Sequence, residues 1–96
     1  MSVIQGEVSL GFEPVAEAFQ QLFSELGELG ASTCVIHHGE TVIDLWSGTR
    51  NKQETAPWQG DTRSNIFSAS KALVAISVLQ LVDRGTLKLD QTVASV

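Results

Sequence analysis

Hydrophobic residues in the first third of the chain recur at steps of three and four, the spacing of one face of an α-helix. This apolar set comprises Val15, Phe19, Leu22, Phe23, Leu26 and Leu29, and the opposite face carries Glu17, Gln20, Gln21, Ser24 and Glu25. Pro14 suits the first turn of such a helix. Gly27 weakens the last turn and Gly30 ends it. The pattern predicts an amphipathic helix from Pro14 to just before Gly30.

Two short β-rich runs follow and predict an antiparallel hairpin from Ser32 to Trp46, with a turn at His38-Gly39-Glu40. From Gly48 to Asp61 the composition becomes polar and neither period persists, so this segment is predicted to be a loop. Both tryptophans, Trp46 and Trp58, could line a pocket, but a tryptophan that ends a strand more often packs at the edge of a core.

The run IFSASKALVAISVLQLV predicts a second helix from about Ser68 to Arg84, with Gly85 as its C-cap and Asn65 to Phe67 as a short strand or turn before it. Hydrophobic residues surround this helix, which predicts burial on all sides. The apolar set is Ala72, Leu73, Val74, Ala75, Ile76, Val78, Leu79, Leu81 and Val82. One helix and one hairpin cannot cover it. Either the chain oligomerises, or it is the N-terminal part of a larger domain.

The composition, 43% hydrophobic and 18% charged over 96 residues, is that of a globular chain. The predicted helices and hairpin make its expected fold class α+β. A net charge of -5 and only six Lys and Arg residues argue against nucleic acid and anionic membranes, and favour a small or neutral partner. Cys34 is the only cysteine, so no intramolecular disulfide forms. No secretory signal precedes residue 15, which makes the cytoplasm the expected location. The longest nearly apolar run, Ala72 to Leu79, is too short to cross a bilayer.

Ser68 and Lys71 form an S-x-x-K pattern at the start of the second predicted helix. Serine needs a base to become a nucleophile, and lysine can be that base only when its amine is neutral. Burial and the positive end of the helix dipole would both lower the pKa of Lys71. The same residues also suit a structural interpretation, in which Ser68 is an N-cap and the Lys71 ammonium reaches water.

His37 and His38 allow a Ser-His-Asp triad with Asp44 or Asp61. Adjacent strand residues point to opposite faces, so at most one histidine could approach Ser68, and two histidines beside a turn are more often exposed. A metal site on His37, His38 and Cys34 lacks a second ligand cluster. Neither metal nor organic cofactor is therefore expected.

Several segments, in order along the chain, resemble the serine β-lactamase-related family. They are GFEPVAEAF, ELGAS, HHGETVIDLWSG, PW followed by DT, IFSASKAL and LVDRGTLKLDQTV. The family includes class C β-lactamases, penicillin-binding carboxypeptidases and esterases, and DLWSG with PW is most similar to the esterase-like branch. The resemblance implies a β-lactamase/transpeptidase-like fold in which Ser68 is acylated and Lys71 assists it. It also implies an ester or amide substrate and no metal or cofactor.

The chain departs from the family in two places: it contains no tyrosine, although the family's second motif carries one, and it has no counterpart of the C-terminal motif. We therefore expect residues 1–96 to be an N-terminal fragment of a single β-lactamase-like domain, inactive or incomplete alone. The alternative is a catalytically silent module derived from that fold, which associates with itself or with a partner through its apolar helix.

Overall fold

The computed structural model describes residues 3–53 and 55–96, which form two compact units, Met1–Arg63 and Ser64–Val96. The first contains strand β1 (Gln5–Val8), helix α1 (Glu13–Ser24) and strands β2 (Gly30–His37) and β3 (Glu40–Gly48). The second contains a 3-10 turn (Phe67–Ala69), helix α2 (Ser70–Asp83) and a second 3-10 turn (Val93–Ser95). The predicted α+β class is confirmed.

Strands β2 and β3 form the predicted antiparallel hairpin, with His37 paired to Glu40. The two residues between them, His38 and Gly39, have φ values of +50° and +81°. Positive φ at both central positions is the geometry of a type I′ turn, whose twist matches that of the flanking strands. The hairpin is longer than predicted, because β2 already begins at Gly30.

Strand β1 was not predicted from the sequence. It pairs antiparallel with β3, which makes β3 the central strand of a three-stranded sheet with the order β1-β3-β2. Its sequence QGEV is short, contains a glycine and lacks clear alternation. Gly6 is required there, because its φ is +105° and a Cβ would collide with the Asp44 carbonyl. Gly6 therefore permits the pairing of β1 with β3 and at the same time weakens the sequence pattern that would predict a β-strand.

Helix α1 covers one face of the sheet. Phe19 from α1 and Val42, Ile43 and Leu45 from β3 are buried together, and partly buried residues complete the cluster. These are Ile4, Val8, Phe12, Ala16, Leu22, Phe23 and Ala31. Phe19 and Phe23 meet edge to face, with ring centroids 5.4 Å apart. The sheet and α1 therefore share one small hydrophobic core.

The prediction that α1 extends nearly to Gly30 is wrong. The helix ends at Ser24, and Gly27, with a φ of +70°, lies in the turn that leaves it. The Gln21 carbonyl accepts hydrogen bonds from the Glu25 and Leu26 N–H groups, at 2.9 and 3.3 Å. Leu26 is consequently exposed rather than part of the apolar face. Glycine at a positive φ ends helices readily, and Gly27 reaches that conformation first.

The predicted loop between β3 and the second unit is confirmed as irregular. Asn51 organises it, since its Oδ1 accepts the N–H groups of Thr55 and Ala56, both at 3.2 Å. The Arg50 N–H also donates to the Ala56 carbonyl at 2.8 Å. Trp58 then returns to β3, where its N–H donates to the Gly48 carbonyl at 2.9 Å. The described residues of this loop therefore leave β3 and return to it at Trp58.

Helix α2 closely matches the second predicted helix and ends in a Schellman motif. Gly85 has a φ of +74° and its N–H donates to the Val82 carbonyl at 2.9 Å, while the Thr86 N–H donates to the Leu81 carbonyl at 2.9 Å. The apolar pattern predicted burial on all sides, with the condition that one helix and one hairpin cannot supply it, and the exposure of α2 in these residues agrees with that condition. No α2 residue is buried, and Val74 is 63% exposed. Apolar residues encircle α2, but the described chain supplies no layer that covers them.

Candidate functional site

Ser68 lies in the 3-10 turn that precedes α2, rather than in the helix itself. The helix begins at Ser70, and its N-cap residue is Ala69, which makes no side-chain capping bond. The interpretation of Ser68 as a simple N-cap is therefore wrong. Ser68 is exposed, and its hydroxyl makes no hydrogen bond to any residue that the structure describes. The Ser68 hydroxyl therefore stabilises no turn or helix cap in the described residues.

The backbone immediately before Ser68 has an unusual conformation. Phe67 has a φ of +47°, which is uncommon for a bulky residue. The Asn65 Oδ1 accepts the Phe67 N–H at 2.9 Å and closes an Asx turn. This geometry was not predicted; the asparagine two residues before Phe67 was the sequence signal that could have indicated it. Strained backbone of this kind often occurs at active sites.

Hydrogen bonds around Ser68 leave its own N–H group unused. The Ala69 N–H donates to the Ile66 carbonyl at 3.1 Å, and the Ser70 N–H donates to the carbonyls of Phe67 and Ser68. Within residues 3–53 and 55–96, the Ser68 N–H donates to no acceptor. Within the described residues, Ser68 therefore carries both an unbonded hydroxyl and an unbonded backbone donor, two groups that an acyl-transfer site can use.

Lys71 follows Ser68 by three residues, the separation that brings side chains together on one side of a helical segment. Its side chain is exposed and forms no ion pair or hydrogen bond within the described part of the chain, including none with the Ser68 hydroxyl. The predicted burial of Lys71 is wrong for these residues. The reason is the same as for the rest of α2: nothing described here covers the beginning of the helix.

His37 and His38 do not form the hypothetical Ser-His-Asp triad with Asp44. Both lie exposed at the hairpin turn, with ring centroids 4.1 Å apart. His37 pairs with Glu40, whereas Asp44 pairs with Cys34, three residues away along β2. At about 3.3 Å per strand residue, this separation is about 10 Å, too far for a hydrogen bond. The expectation that these histidines are exposed is confirmed.

Other candidate sites receive little support from the geometry. Within the described ranges, no three His, Cys, Asp or Glu residues come together in a way that could hold a metal ion. Cys34 is a free, exposed thiol. The indole N–H of Trp46 donates to the Gln5 Oε1 at 3.0 Å, whereas that of Trp58 is buried without a described partner. Across residues 3–53 and 55–96, neither helix has the length and apolar content needed to span a membrane.

Most of the chain matches a known protein family. Residues 15–96, which include Ser68 and Lys71, match the Beta-lactamase family. The chain belongs to the Beta-lactamase family. Its small antiparallel sheet and two helices are consistent with part of a β-lactamase-like fold, as the resemblance of the sequence implied.

Two curated relatives support the esterase-like branch of this family. The chain is 31% identical over 83 residues to the esterase/beta-lactamase LipL of Mycobacterium tuberculosis, an alignment that covers 86% of this chain and 19% of LipL. It is 36% identical over 75 residues to the esterase EstB of Burkholderia gladioli, covering 78% of this chain and 19% of EstB. The aligned part of the chain thus corresponds to about one fifth of the length of either relative.

Proposed function

We propose that this chain carries the nucleophilic segment of a serine hydrolase that cleaves a small ester or amide through an acyl-serine intermediate. One observation carries the proposal: Ser68, with an unbonded hydroxyl and N–H, precedes Lys71 by one turn inside the family-matched region. The names of the two relatives, an esterase/beta-lactamase and an esterase, favour an ester as the first substrate to test.

In the proposed acylation step, the neutral Lys71 amine accepts the hydroxyl proton as the Ser68 Oγ forms a bond to the substrate carbonyl carbon. The Ser68 N–H donates to the oxygen on which negative charge develops. When the tetrahedral intermediate collapses, its bond to the leaving group breaks and the departing oxygen or nitrogen takes the proton from Lys71. Attack by water on the acyl-serine then releases the acid and restores the Ser68 hydroxyl.

The proposed mechanism needs a neutral Lys71 amine, and Lys71 is exposed in the described residues. The sequence also contains no tyrosine to act beside it. We propose that residues 1–96 form part of one β-lactamase-like domain and that further chain covers α2, in accord with the 19% coverage of LipL and EstB. We therefore expect acylation by activated reagents, and slow or no turnover, from these residues alone.

The test is to trap the acyl-enzyme with p-nitrophenyl acetate. Intact-mass spectrometry after acid quenching is expected to show one acetyl group on the wild-type chain and none on Ser68→Ala. Lys71→Ala should slow acetylation by less than the roughly 100-fold that a fully formed general base contributes, because Lys71 is exposed in these residues. Ser70→Ala is the matched control, since it removes a hydroxyl two residues away, and it should be acetylated like the wild type. Equal acetylation of Ser68→Ala and wild type would contradict the proposal.

A second candidate function is non-catalytic self-association, favoured by the exposed apolar surface of α2. Leu73 and Val74 are 57% and 63% exposed, and a continuous apolar surface of this kind often marks an interaction site. Sedimentation velocity separates the two candidates. Concentration-dependent oligomers that persist in Ser68→Ala, together with a chain that no acylating reagent modifies at Ser68, would favour the interaction module.

A further inference from the structure

The residue before Ser68 is held in a conformation that its own side chain does not explain. Phe67 has a φ of +47°, in the left-handed region that disfavours every residue with a Cβ. Its side chain is 78% exposed, so packing within this chain does little to hold it there. The conformation of Phe67 therefore depends on a restraint from the backbone or from a neighbouring residue.

Asn65 provides such a restraint. Its side-chain oxygen accepts the Phe67 N–H at 2.9 Å, bridging Ile66 and fixing the peptide group that enters Phe67. Beyond Phe67, the bond from the Ala69 N–H to the Ile66 carbonyl continues the same turn past Ser68. The backbone at Ser68 is thus held by local hydrogen bonds on both sides, and the Asn65 bond is the one made by a side chain.

We propose that Asn65 is a positioning residue for the Ser68 nucleophile. By holding Phe67 at positive φ, Asn65 fixes the direction in which the following residue presents its hydroxyl and its unbonded N–H. Asn65 acts only through Phe67 and does not contact the reacting atoms. This inference rests on the proposed acylation of Ser68, and it adds a residue that the acylation mechanism itself does not require.

A rescue experiment distinguishes positioning from a general loss of structure. The rate of phosphonylation by a fluorophosphonate should fall about tenfold in Asn65→Ala, the scale of one lost local hydrogen bond, and stay near the wild-type rate in Asn65→Asp, which keeps the acceptor. Adding Phe67→Gly to Asn65→Ala should restore the rate, because glycine adopts positive φ without steric cost. An unchanged rate in Asn65→Ala, or no recovery in the double variant, would overturn the proposal.

A matched control comes from the other asparagine that organises a turn. Asn51 also accepts backbone N–H groups through its Oδ1, but it lies in the loop of the first compact unit. Asn51→Ala should therefore leave the phosphonylation rate within about twofold of the wild type. A loss in Asn51→Ala equal to that in Asn65→Ala would show that both substitutions act through general destabilisation, and would overturn the positioning role.

Amide hydrogen exchange separates the failure of this inference from the failure of the proposed function. The Phe67 amide should exchange slowly and become fast in Asn65→Ala, while the Ser68 amide should be fast in both chains. The same exchange pattern in a chain whose Ser68 no reagent modifies would contradict both the nucleophilic role of Ser68 and the positioning role of Asn65. The Asn65 turn would then be a structural feature only. A fast Phe67 amide in the wild type would overturn the role of Asn65, whatever the reactivity of Ser68.

Discussion

The two compact units of the chain bury their hydrophobic residues to very different extents. In the first unit, β3 packs under α1, and Ile43 and Leu45 are only 2% and 3% exposed. In the second, Ile76 and Leu79 of α2 are 54% and 52% exposed. Both units carry a strong hydrophobic pattern. A hydrophobic pattern therefore predicts a secondary-structure element, whereas the burial of that element depends on how much chain is available to cover it.

This difference bears directly on function, because the two proposed catalytic residues belong to the uncovered unit. Ser68 and Lys71 lie at the beginning of α2, and both are exposed. A serine-lysine pair works best where water is excluded and the amine is neutral. In the described residues, a hydrogen bond from the Phe67 N–H to the Asn65 side chain defines the backbone just before Ser68, whereas the Lys71 side chain has no described partner.

The largest expected effect contrasts the covered and uncovered apolar residues. Leu45→Ala should lower the free energy of unfolding by about 2 to 5 kcal/mol, because it leaves a cavity in the small core. Leu79→Ala should change it by no more than about 0.5 kcal/mol, since the side chain is half exposed. Urea titration followed by circular dichroism measures both. Equal losses in free energy of unfolding would show that α2 is buried in solution and would contradict the difference in burial between the two units.

Two glycines at positive φ offer a comparison of intermediate size. An alanine at either Gly48 or Gly85 meets the conformational penalty of the left-handed region, about 1 to 2 kcal/mol. At Gly48 the added Cβ would also collide with the Leu29 carbonyl, whereas at Gly85 nothing lies within 4 Å of it. Gly48→Ala should therefore destabilise the chain by about 2 kcal/mol more than Gly85→Ala. Thermal unfolding of the two variants tests this order, and the reverse order would contradict the described packing of β3.

The smallest expected effect on stability accompanies a clear change in surface chemistry. Replacing Val74 and Leu79 by glutamine should leave the free energy of unfolding within about 0.5 kcal/mol while reducing binding of the dye ANS, which reports exposed apolar surface. Ile36→Gln is the matched control, because Ile36 is 67% exposed but lies on β2 in the first compact unit. Loss of dye binding in the control alone would place the apolar surface on the sheet instead.

Elements with complete local signals were predicted well from the sequence. The hairpin of β2 and β3 combines alternation with a His38-Gly39 turn, and α2 combines a long apolar run with Gly85 at its end. Strand β1 escaped prediction because its four residues gain their structure by pairing with β3. The end of α1 was misplaced because either of two glycines could end it from sequence alone, and of the two only Gly27 adopts a positive φ, whereas Gly30 begins β2.

The candidate site was predicted in part. The S-x-x-K spacing indicated Ser68 and Lys71, and their roles remain a proposal. The 3-10 turn and the positive φ of Phe67 could not be derived from helical periodicity, which treats Ser68 as an ordinary helical residue. Burial of α2 was predicted only with self-association or further chain, whereas Lys71, predicted to be buried, is exposed in the described residues. The hydrophobic pattern of a helix carries no information about which chain covers it.

The most direct test of Ser68 as the nucleophile is to map the phosphonyl group on the chain after reaction with a fluorophosphonate. The sequence contains ten serines, so peptide mass spectrometry must distinguish one site from nine others. We expect modification at Ser68 alone, at a rate that falls in Lys71→Ala. Modification spread over several serines, at Ser70 instead, or absent from a chain shown to be folded would contradict the assignment of Ser68 as the nucleophile.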